Sequence, residues 1–206
     1  MLDVITAATD LKLTTVAAVK ADLGIVGTDQ DVRLGGLIDQ YSAAIIGWCD
    51  RPFALETVRE TLFERCASNG LMLARWPIVA VAAGSINATA LNPADFIADK
   101  VTGILYRRGS TIRGEFWPAG ETIIDYQSGY VLPGEIGRTL PYDVERAAIM
   151  LVKGAHLACG RDPALRSEEI DGVGTTTWFA SSGAAIDGMP LEVQGLLAGY
   201  RRQGIA

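Results

Sequence analysis

Residues 28–49, TDQDVRLGGLIDQYSAAIIGWC, decide the fold class of this chain. At 100° per residue, the apolar positions of this stretch fall within an arc of roughly 100°, as in an amphipathic helix. These positions are Leu34, Leu37, Ile38, Tyr41, Ile45 and Trp48. Thr28 starts the helix, two acids lie in its first turn, where the helix dipole favours them, and Arg51-Pro52 ends it. The stretch predicts a helix that buries one narrow face.

Three further segments have the pattern of helices. A short one is capped by Thr14 or Thr15 and ends at Gly24. A longer one opens at Pro141, because proline is favoured in a first turn, and the last one opens at Pro190. Their apolar stripes are Val16, Val19 and Leu23; Val144, Ala147, Ala148, Leu151, Val152, Ala155 and Cys159; and Leu191, Val193, Leu196, Leu197 and Tyr200.

Between the second and third of these helices, the pattern changes to short alternating runs. In residues 57–65, Val58 and Leu62 share a face with the polar Glu60 and Glu64. The pattern is therefore that of a strand, but its two faces are not cleanly separated into an apolar and a polar one. Turn signals such as Asn69-Gly70 separate this run from the next ones. Those runs are residues 71–73, 78–86, 95–99, 104–107 and 121–126. We predict a small antiparallel β-domain over residues 55–132.

The element order predicts an α+β fold: a small helical bundle with an antiparallel β-domain inserted between its second and third main helices. We divide the chain into an N-terminal helical part of the bundle (1–54), the inserted β-domain (55–132), the third bundle helix (133–160), and a C-terminal extended segment with the last helix (161–206). Each helical stripe is too narrow for a helix buried all round. We therefore expect the helices to pack on each other or on neighbouring subunits.

Composition limits the classes of function. The 206 residues include 18 basic and 24 acidic side chains, a net charge of −6, which argues against a protein held mainly by phosphate backbones. The hydrophobic share of 49% supports a packed core. The start lacks the pattern of a signal peptide, and the apolar stretch 71–86 falls short of the roughly 20 apolar residues that a membrane helix needs. We expect a protein made in the cytoplasm, with no membrane contact.

The chain offers few groups for catalysis or metal binding. One histidine and three cysteines exclude histidine-rich metal chemistry and a disulfide framework. We interpret Cys49, Cys66 and Cys159 as buried and reduced. No phosphate-binding loop motif is present. We therefore predict no catalytic, metal-binding or cofactor-binding residue, and no cofactor.

Two alternatives stay open. A small hydrolase-like enzyme would use His156 with Glu168 and Glu169 in a cleft. The same residues also fit a half-buried histidine with a hydrogen-bond partner and a solvated acidic face. A monomeric protein-binding module would instead use its β-domain on another protein.

Residues 161–206 carry the clearest signal for a partner. Their first part is rich in Gly, Ser and Thr and has no convincing period, yet it holds large aromatic side chains that need a surface to bury against. The predicted interface residues are Leu165, Arg166, Ile170, Trp178, Phe179, Leu191, Leu197 and Tyr200. Elsewhere, Arg107, Arg108 and Arg113 flank a predicted β-turn, and we expect them either to face DNA or to make ion pairs.

Several motifs stand in order along most of the chain. The first is the opening from Leu13-Thr14-Thr15-Val16 to Arg51-Pro52-Phe53, and the others are LMLARWPI (71–78), DYQSGY (125–130), LPYDVERAA (140–148) and RDPALRSE (161–168). Together they resemble the motifs of tailed-phage head–tail connector proteins, also called adaptors, which have related members in gene transfer agents. The opening is similar to that family's short helix, turn and longer helix.

The resemblance implies a structural role in the virion at the head–tail junction. Such proteins form a ring, commonly of twelve subunits, beneath the portal protein. The ring extends the DNA channel and offers a surface to the next tail-side protein, a stopper or tail terminator. An acidic chain suits a channel wall, because it lets DNA pass without specific binding.

Overall fold

The structure is a computed structural model that describes residues 1–109, 115–159, 167–170, 174–177 and 189–202, with the backbone alone in 167–170 and 174–177. Within these ranges the helices are α1 (Val16–Leu23), α2 (Asp31–Cys49), α3 (Tyr142–Leu157) and α4 (Leu191–Leu197). The strands are β1 (Leu2–Thr6), β2 (Glu56–Glu64), β3 (Leu71–Met72), β4 (Ile78–Ile86), β5 (Thr89–Leu91), β6 (Phe96–Asp99), β7 (Ile104–Arg107), β8 (Gly120–Ser128), β9 (Ser167–Ile170) and β10 (Gly174–Thr177). This order confirms the α+β fold with strands inserted between α2 and α3.

The chain divides into two compact units. The β unit comprises Met1–Asp10, Pro52–Leu132 and Ile136–Thr139. The helical unit comprises Leu11–Arg51, Pro133–Glu135 and Leu140–Ala206. Among the described residues, none of the helices has the length and apolarity to cross a lipid bilayer.

The larger sheet of the β unit is antiparallel and has the strand order β1-β2-β8-β4-β5. Val58 on β2 lies opposite Tyr126 on β8, and Glu60 lies opposite Ile124. All four side chains are buried, so this alternating set forms the core face of the sheet. Of the mixed face predicted for residues 57–65, Val58 and Glu60 are therefore core residues, whereas Leu62 and Glu64 are half-buried.

The prediction that residues 1–54 are helical is wrong for the first residues of the chain. Leu2–Thr6 forms the edge strand β1, which pairs with β2, and the Met1 amino group donates to the Thr61 carbonyl oxygen at 2.8 Å. Val4, Ile5 and Thr6 are β-branched and favour an extended backbone. A five-residue strand is too short to show a reliable period, and its hydrogen-bond partner lies more than fifty residues away.

A second sheet with the order β3-β7-β6 contributes to the same core. Phe96 stacks on Trp117 with their ring centroids 5.8 Å apart, and both side chains are buried. The Trp117 indole Nε1 donates to the Leu105 carbonyl oxygen at 3.0 Å, which satisfies its one polar group. The β unit thus packs two sheets around one apolar core.

A buried acid in this core is held by hydrogen bonds. Glu60 is only 5% exposed. Its Oε2 accepts the Tyr126 hydroxyl at 2.7 Å and the Ala74 amide N–H at 2.9 Å. The Tyr126 hydroxyl also accepts the Arg75 amide N–H at 3.2 Å, and the Arg75 guanidinium pairs with Glu56. These bonds explain how a polar residue occupies a core position of β2.

In the helical unit, the α1 and α2 predictions are confirmed with small shifts. Thr15 caps α1, because its side chain accepts the Ala18 amide N–H at 3.1 Å, and Gly24 ends that helix at φ 69°. The second helix begins at Asp31 rather than Thr28. Buried residues from α1, α2 and α3 pack together as one core, which contains Val19, Leu34, Ile38 and Val152.

The cysteine prediction holds for only one of the three residues. Cys49 is buried at the end of α2, whereas Cys66 and Cys159 are exposed. Cys66 follows β2 in a turn and Cys159 follows the last turn of α3, so neither position is covered by a packed element. Among the described residues, the three are free thiols.

Candidate partner interface

The described C-terminal helix packs into the helical unit. Val193 and Leu197 of α4 are buried at 1% and 0% exposure, and Met189 before it is also buried. The Gln194 side chain donates to the Met189 carbonyl oxygen at 2.7 Å. Since α4 has only seven residues, it depends on packing against α3 rather than on its own stability.

The residues after α4 return to the end of α2. The Arg201 guanidinium lies 4.8 Å from the centroid of the Trp48 ring, and the Arg202 amide N–H donates to the Cys49 carbonyl oxygen at 2.9 Å. Burial raises the pKa of the Cys49 thiol to about 11, so this thiol stays protonated near neutral pH. The contacts of Arg201 and Arg202 tie the C-terminal residues to the bundle.

The predicted interface residues fall into four groups. Leu191 is 52% exposed and Tyr200 is half-buried, so both offer surface to a partner. Leu197 is instead a core residue, because its position in α4 faces the bundle. Of Ile170 only the backbone is described, opposite Gly174 in the β9–β10 hairpin. The others lie outside the described residues: Leu165, Arg166, Trp178 and Phe179.

The predicted arginine cluster shows one ion pair. The Arg107 guanidinium pairs with Glu115 at 2.7 Å, donates to the Phe116 carbonyl oxygen at 3.0 Å and lies 5.8 Å from the Trp117 ring centroid. Arg108 is exposed, and Arg113 lies outside the described residues. Of the two roles predicted for this cluster, Arg107 takes the ion-pairing one.

The residues of the enzyme alternative are only partly described. His156 is half-buried in the last turn of α3, and its Nδ1 is buried with no hydrogen-bond partner in the described part of the chain. Glu168 and Glu169 lie on β9, where only the backbone is described. Within the ranges that the structure covers, no three His, Cys, Asp or Glu side chains come together as a metal site.

Charged groups that link α1 to α3 were not singled out by the sequence patterns. Asp22 pairs with Arg146 at 2.6 Å and with Lys153 at 2.9 Å. The hydrogen bonds from Lys153 and Arg146 lower the pKa of Asp22. Glu145, one position before Arg146, is buried and its Oε1 accepts the Thr14 hydroxyl at 3.3 Å. The i, i+7 spacing of Arg146 and Lys153 was the available signal, since it places both on one helix face.

The helical unit also presents apolar side chains to solvent. Val26, in the α1–α2 connection, is 98% exposed, and Val32, in the first turn of α2, is 92% exposed. Leu157 at the end of α3 is 66% exposed.

Comparison with known proteins gives one family match. A family model described as "Head completion protein" matches residues 12–202, which includes all four helices and most of the β unit. The comparison with curated proteins finds no significant match.

Solved structures of gene transfer agent (GTA) particles share the fold. A chain from the neck of an empty GTA particle, computed with C6 symmetry, has 19% identity and a TM-score of 0.58. A chain from the neck of a native GTA particle, computed with C12 symmetry, has 20% identity and a TM-score of 0.57. A chain from the virion of a native GTA particle has 20% identity and a TM-score of 0.58. Each match covers 100% of this chain and 97% of the other.

Proposed function

Because the chain belongs to the head completion protein family, we propose that it forms a ring of twelve subunits that docks under the portal protein. The ring extends the DNA channel and offers a binding surface to a tail-side protein. The family match over residues 12–202 is the observation that carries this proposal. The same membership confirms the prediction of a virion structural protein of the head–tail connector class.

The ring is supported by the surfaces of the helical unit. A closed ring uses two different faces of each subunit, and each face must bury apolar groups of its neighbour. Val26 and Val32 are almost fully exposed near the start of α2, and Leu157 is exposed at the end of α3. The similar GTA necks were computed with C6 and C12 symmetry, which favours a multiple of six for the subunit number proposed here.

The portal contact is proposed for the C-terminal part of the chain. Leu191 and Tyr200 retain accessible surface while Val193 and Leu197 hold α4 to the bundle. The exposed side of a helix anchored in this way can bind a partner without first becoming ordered, which lowers the entropic cost of binding. The predicted contacts of Leu165, Arg166, Ile170, Trp178 and Phe179 remain part of this proposal.

The charge of the chain supports the proposal that DNA passes through the ring. The net charge of −6 disfavours a tight grip on phosphates, and Arg107 is neutralised by Glu115. We assign no reaction, metal or cofactor to this role, which needs only binding surfaces. A substitution of His156 by Gln should accordingly leave particle assembly unchanged.

The test is binding to purified portal rings, observed by negative-stain electron microscopy and sedimentation. Deletion of α4 would remove core residues, so a point substitution, Leu191→Glu, is the sharper probe. Leu11→Glu, which places the same charge on a leucine of the same unit with a similar exposure of 49%, is the matched control. We expect the wild type to form a ring on the portal and L191E to bind at least tenfold more weakly.

Two results would contradict different parts of this proposal. Wild-type protein that binds neither portal rings nor portal-bearing heads would exclude the connector role. Equal binding by L191E and the wild type would leave the ring role standing but remove α4 from the portal contact.

A further inference from the structure

The outer face of the three-stranded sheet is apolar. On β7, Leu105 points into the core, so Ile104 and Tyr106 point to the opposite side. Met72 on β3 lies opposite Ile104, and Ile97 on β6 lies opposite Tyr106. Residues directly opposite each other in an antiparallel ladder share a face. Four apolar side chains therefore lie side by side across three strands.

Phe116 extends this face. Glu115 lies opposite Arg107 in an isolated antiparallel bridge, and their side chains form an ion pair on the Trp117 side. Because neighbouring residues of an extended chain alternate, Phe116 points to the same side as Tyr106. We call Met72, Ile97, Ile104, Tyr106 and Phe116 the outer apolar face.

These side chains are open to solvent. The exposed fractions are 65% for Met72, 59% for Phe116, 47% for Ile97 and 39% for Tyr106. Asp99 lies opposite Ile104 on the same side, but its Oδ1 accepts the amide N–H groups of Val101 and Thr102. The outer apolar face is thus a contiguous patch and not a set of scattered residues.

Gly70 shows that the patch is held in place. A Cβ at this position would lie 2.7 Å from Ile104 Cγ2 and 3.1 Å from Tyr106 Cε1. The absence of a side chain at Gly70 lets these two residues lie against the backbone. Ile104 and Tyr106 are therefore packed before any partner binds, which reduces the entropy that these two side chains lose on binding.

The size of the patch decides between possible occupants. At roughly 200 Å² for each full side chain, the exposed fractions leave about 400 Å² of side-chain surface. A stable interface between two proteins buries about 800 Å² on each partner. A second copy of this chain would not be held by this face alone. A contact of this size with a tail-side partner is also weak for one subunit, but it becomes strong when every subunit of a ring makes it at once.

We propose that the outer apolar face binds an uncharged, apolar segment of the tail-side protein, once for each subunit of the ring. This inference rests on the proposed connector function and assigns the tail-side contact to one face of the β unit. Its area explains why the contact needs an assembled ring, since a single subunit offers too little surface for stable binding.

The experiment uses connector-deficient heads, loaded with the full chain, and purified tails of the same particle as the probe. Met72→Glu and Phe116→Glu place a charge in the patch. Phe63→Glu places the same charge on an exposed residue of β2 and serves as the control. Thermal unfolding of each variant checks the fold. We expect both patch variants to load on heads normally and to yield at least tenfold fewer joined particles, while F63E joins normally.

The other outcomes are distinct. Normal joining by folded M72E and F116E would overturn the inference and leave the connector function intact. Loss of ring formation by these variants would also overturn it, because a second copy would then occupy the face. Failure of the wild type itself to load on heads would refute the connector function and this inference with it.

Discussion

Removing the Tyr126 hydroxyl tests how the β unit tolerates a buried carboxylate. The change Tyr126→Phe deletes the 2.7 Å hydrogen bond to Glu60 and leaves the Arg75 amide N–H without the acceptor it has at 3.2 Å. A hydrogen bond to a charged group contributes about 1.5–3 kcal/mol, and the partly buried Arg75 amide adds less than the roughly 1–3 kcal/mol that a fully buried unsatisfied donor costs. The Glu60 carboxylate keeps its bonds to the Ala74 amide, so the losses do not add fully.

We expect Y126F to lower the free energy of unfolding by about 3 kcal/mol. Urea unfolding followed by tryptophan fluorescence measures this, because Trp117 lies in the same core. Tyr106→Phe, which removes a hydroxyl from a partly exposed ring, is the control and should change stability by less than about 0.5 kcal/mol. A Y126F value within that range would refute the claim that this bond holds Glu60 in the core.

Alkaline pH provides a second measurement on the same pair. Burial, together with the Glu60 carboxylate, raises the pKa of Tyr126 far above its ordinary value of 10.0. The unfolded state releases this proton first, so the stability from Tyr126 is complete below pH 10 and falls as the pH rises above it. The wild type should lose about 1.4 kcal/mol per pH unit from this residue there, and Y126F should lack that part of the slope.

Three further substitutions probe other features. Asp22→Asn should lower the free energy of unfolding by about 1 kcal/mol at pH 7. Because the pKa of Asp22 is lowered in the folded chain, the difference between the variant and the wild type should shrink as the pH falls below 3.8. Denaturant unfolding at a series of pH values measures this difference. Thr122→Val should stabilise the chain by about 1 kcal/mol, because Thr122 Oγ1 is buried without a hydrogen-bond partner in the described residues; a lower melting temperature would contradict this. Gly129→Ala should cost more than about 3 kcal/mol, since φ is 109° and a Cβ would lie 2.2 Å from the Ala54 carbonyl oxygen; an unchanged urea midpoint would be evidence against that clash.

The sequence predicts the helices better than the edges of the sheet. Helix α2 has nineteen residues and its apolar stripe repeats the helical period several times, so the pattern correctly predicts the core residues Leu34, Ile38 and Ile45. Strand β1 has five residues, and its pairing with β2 depends on long-range contacts that no local window contains. Local pattern therefore predicts an element well only where the period repeats within that element.

The candidate interface shows a different limit. Leu191 and Leu197 both fit the apolar stripe of a last helix, but Leu197 is buried and Leu191 is exposed. Which of them faces the bundle depends on how α4 is rotated against α3, and that is decided by packing rather than by spacing. The sequence pattern does not indicate the outer apolar face either, because the residues of this face come from separate short strands.

The ends of the inserted β unit bear on the order in which the chain folds. The Tyr130 amide N–H donates to the Phe53 carbonyl oxygen at 2.7 Å, and Ala54 lies opposite Tyr130. About 90 residues separate α2 from α3, yet these two helices share the core of the helical unit. Once the insert folds, only Asp50–Phe53 and Tyr130–Pro141 remain in that connection, about 16 residues, which lowers the entropic cost of loop closure by about 1.5 kcal/mol. The chain therefore loses less entropy when the insert folds first and α2 then pairs with α3. The barrier to completing the helical bundle thus depends on the stability of the inserted β unit, which is not part of the bundle.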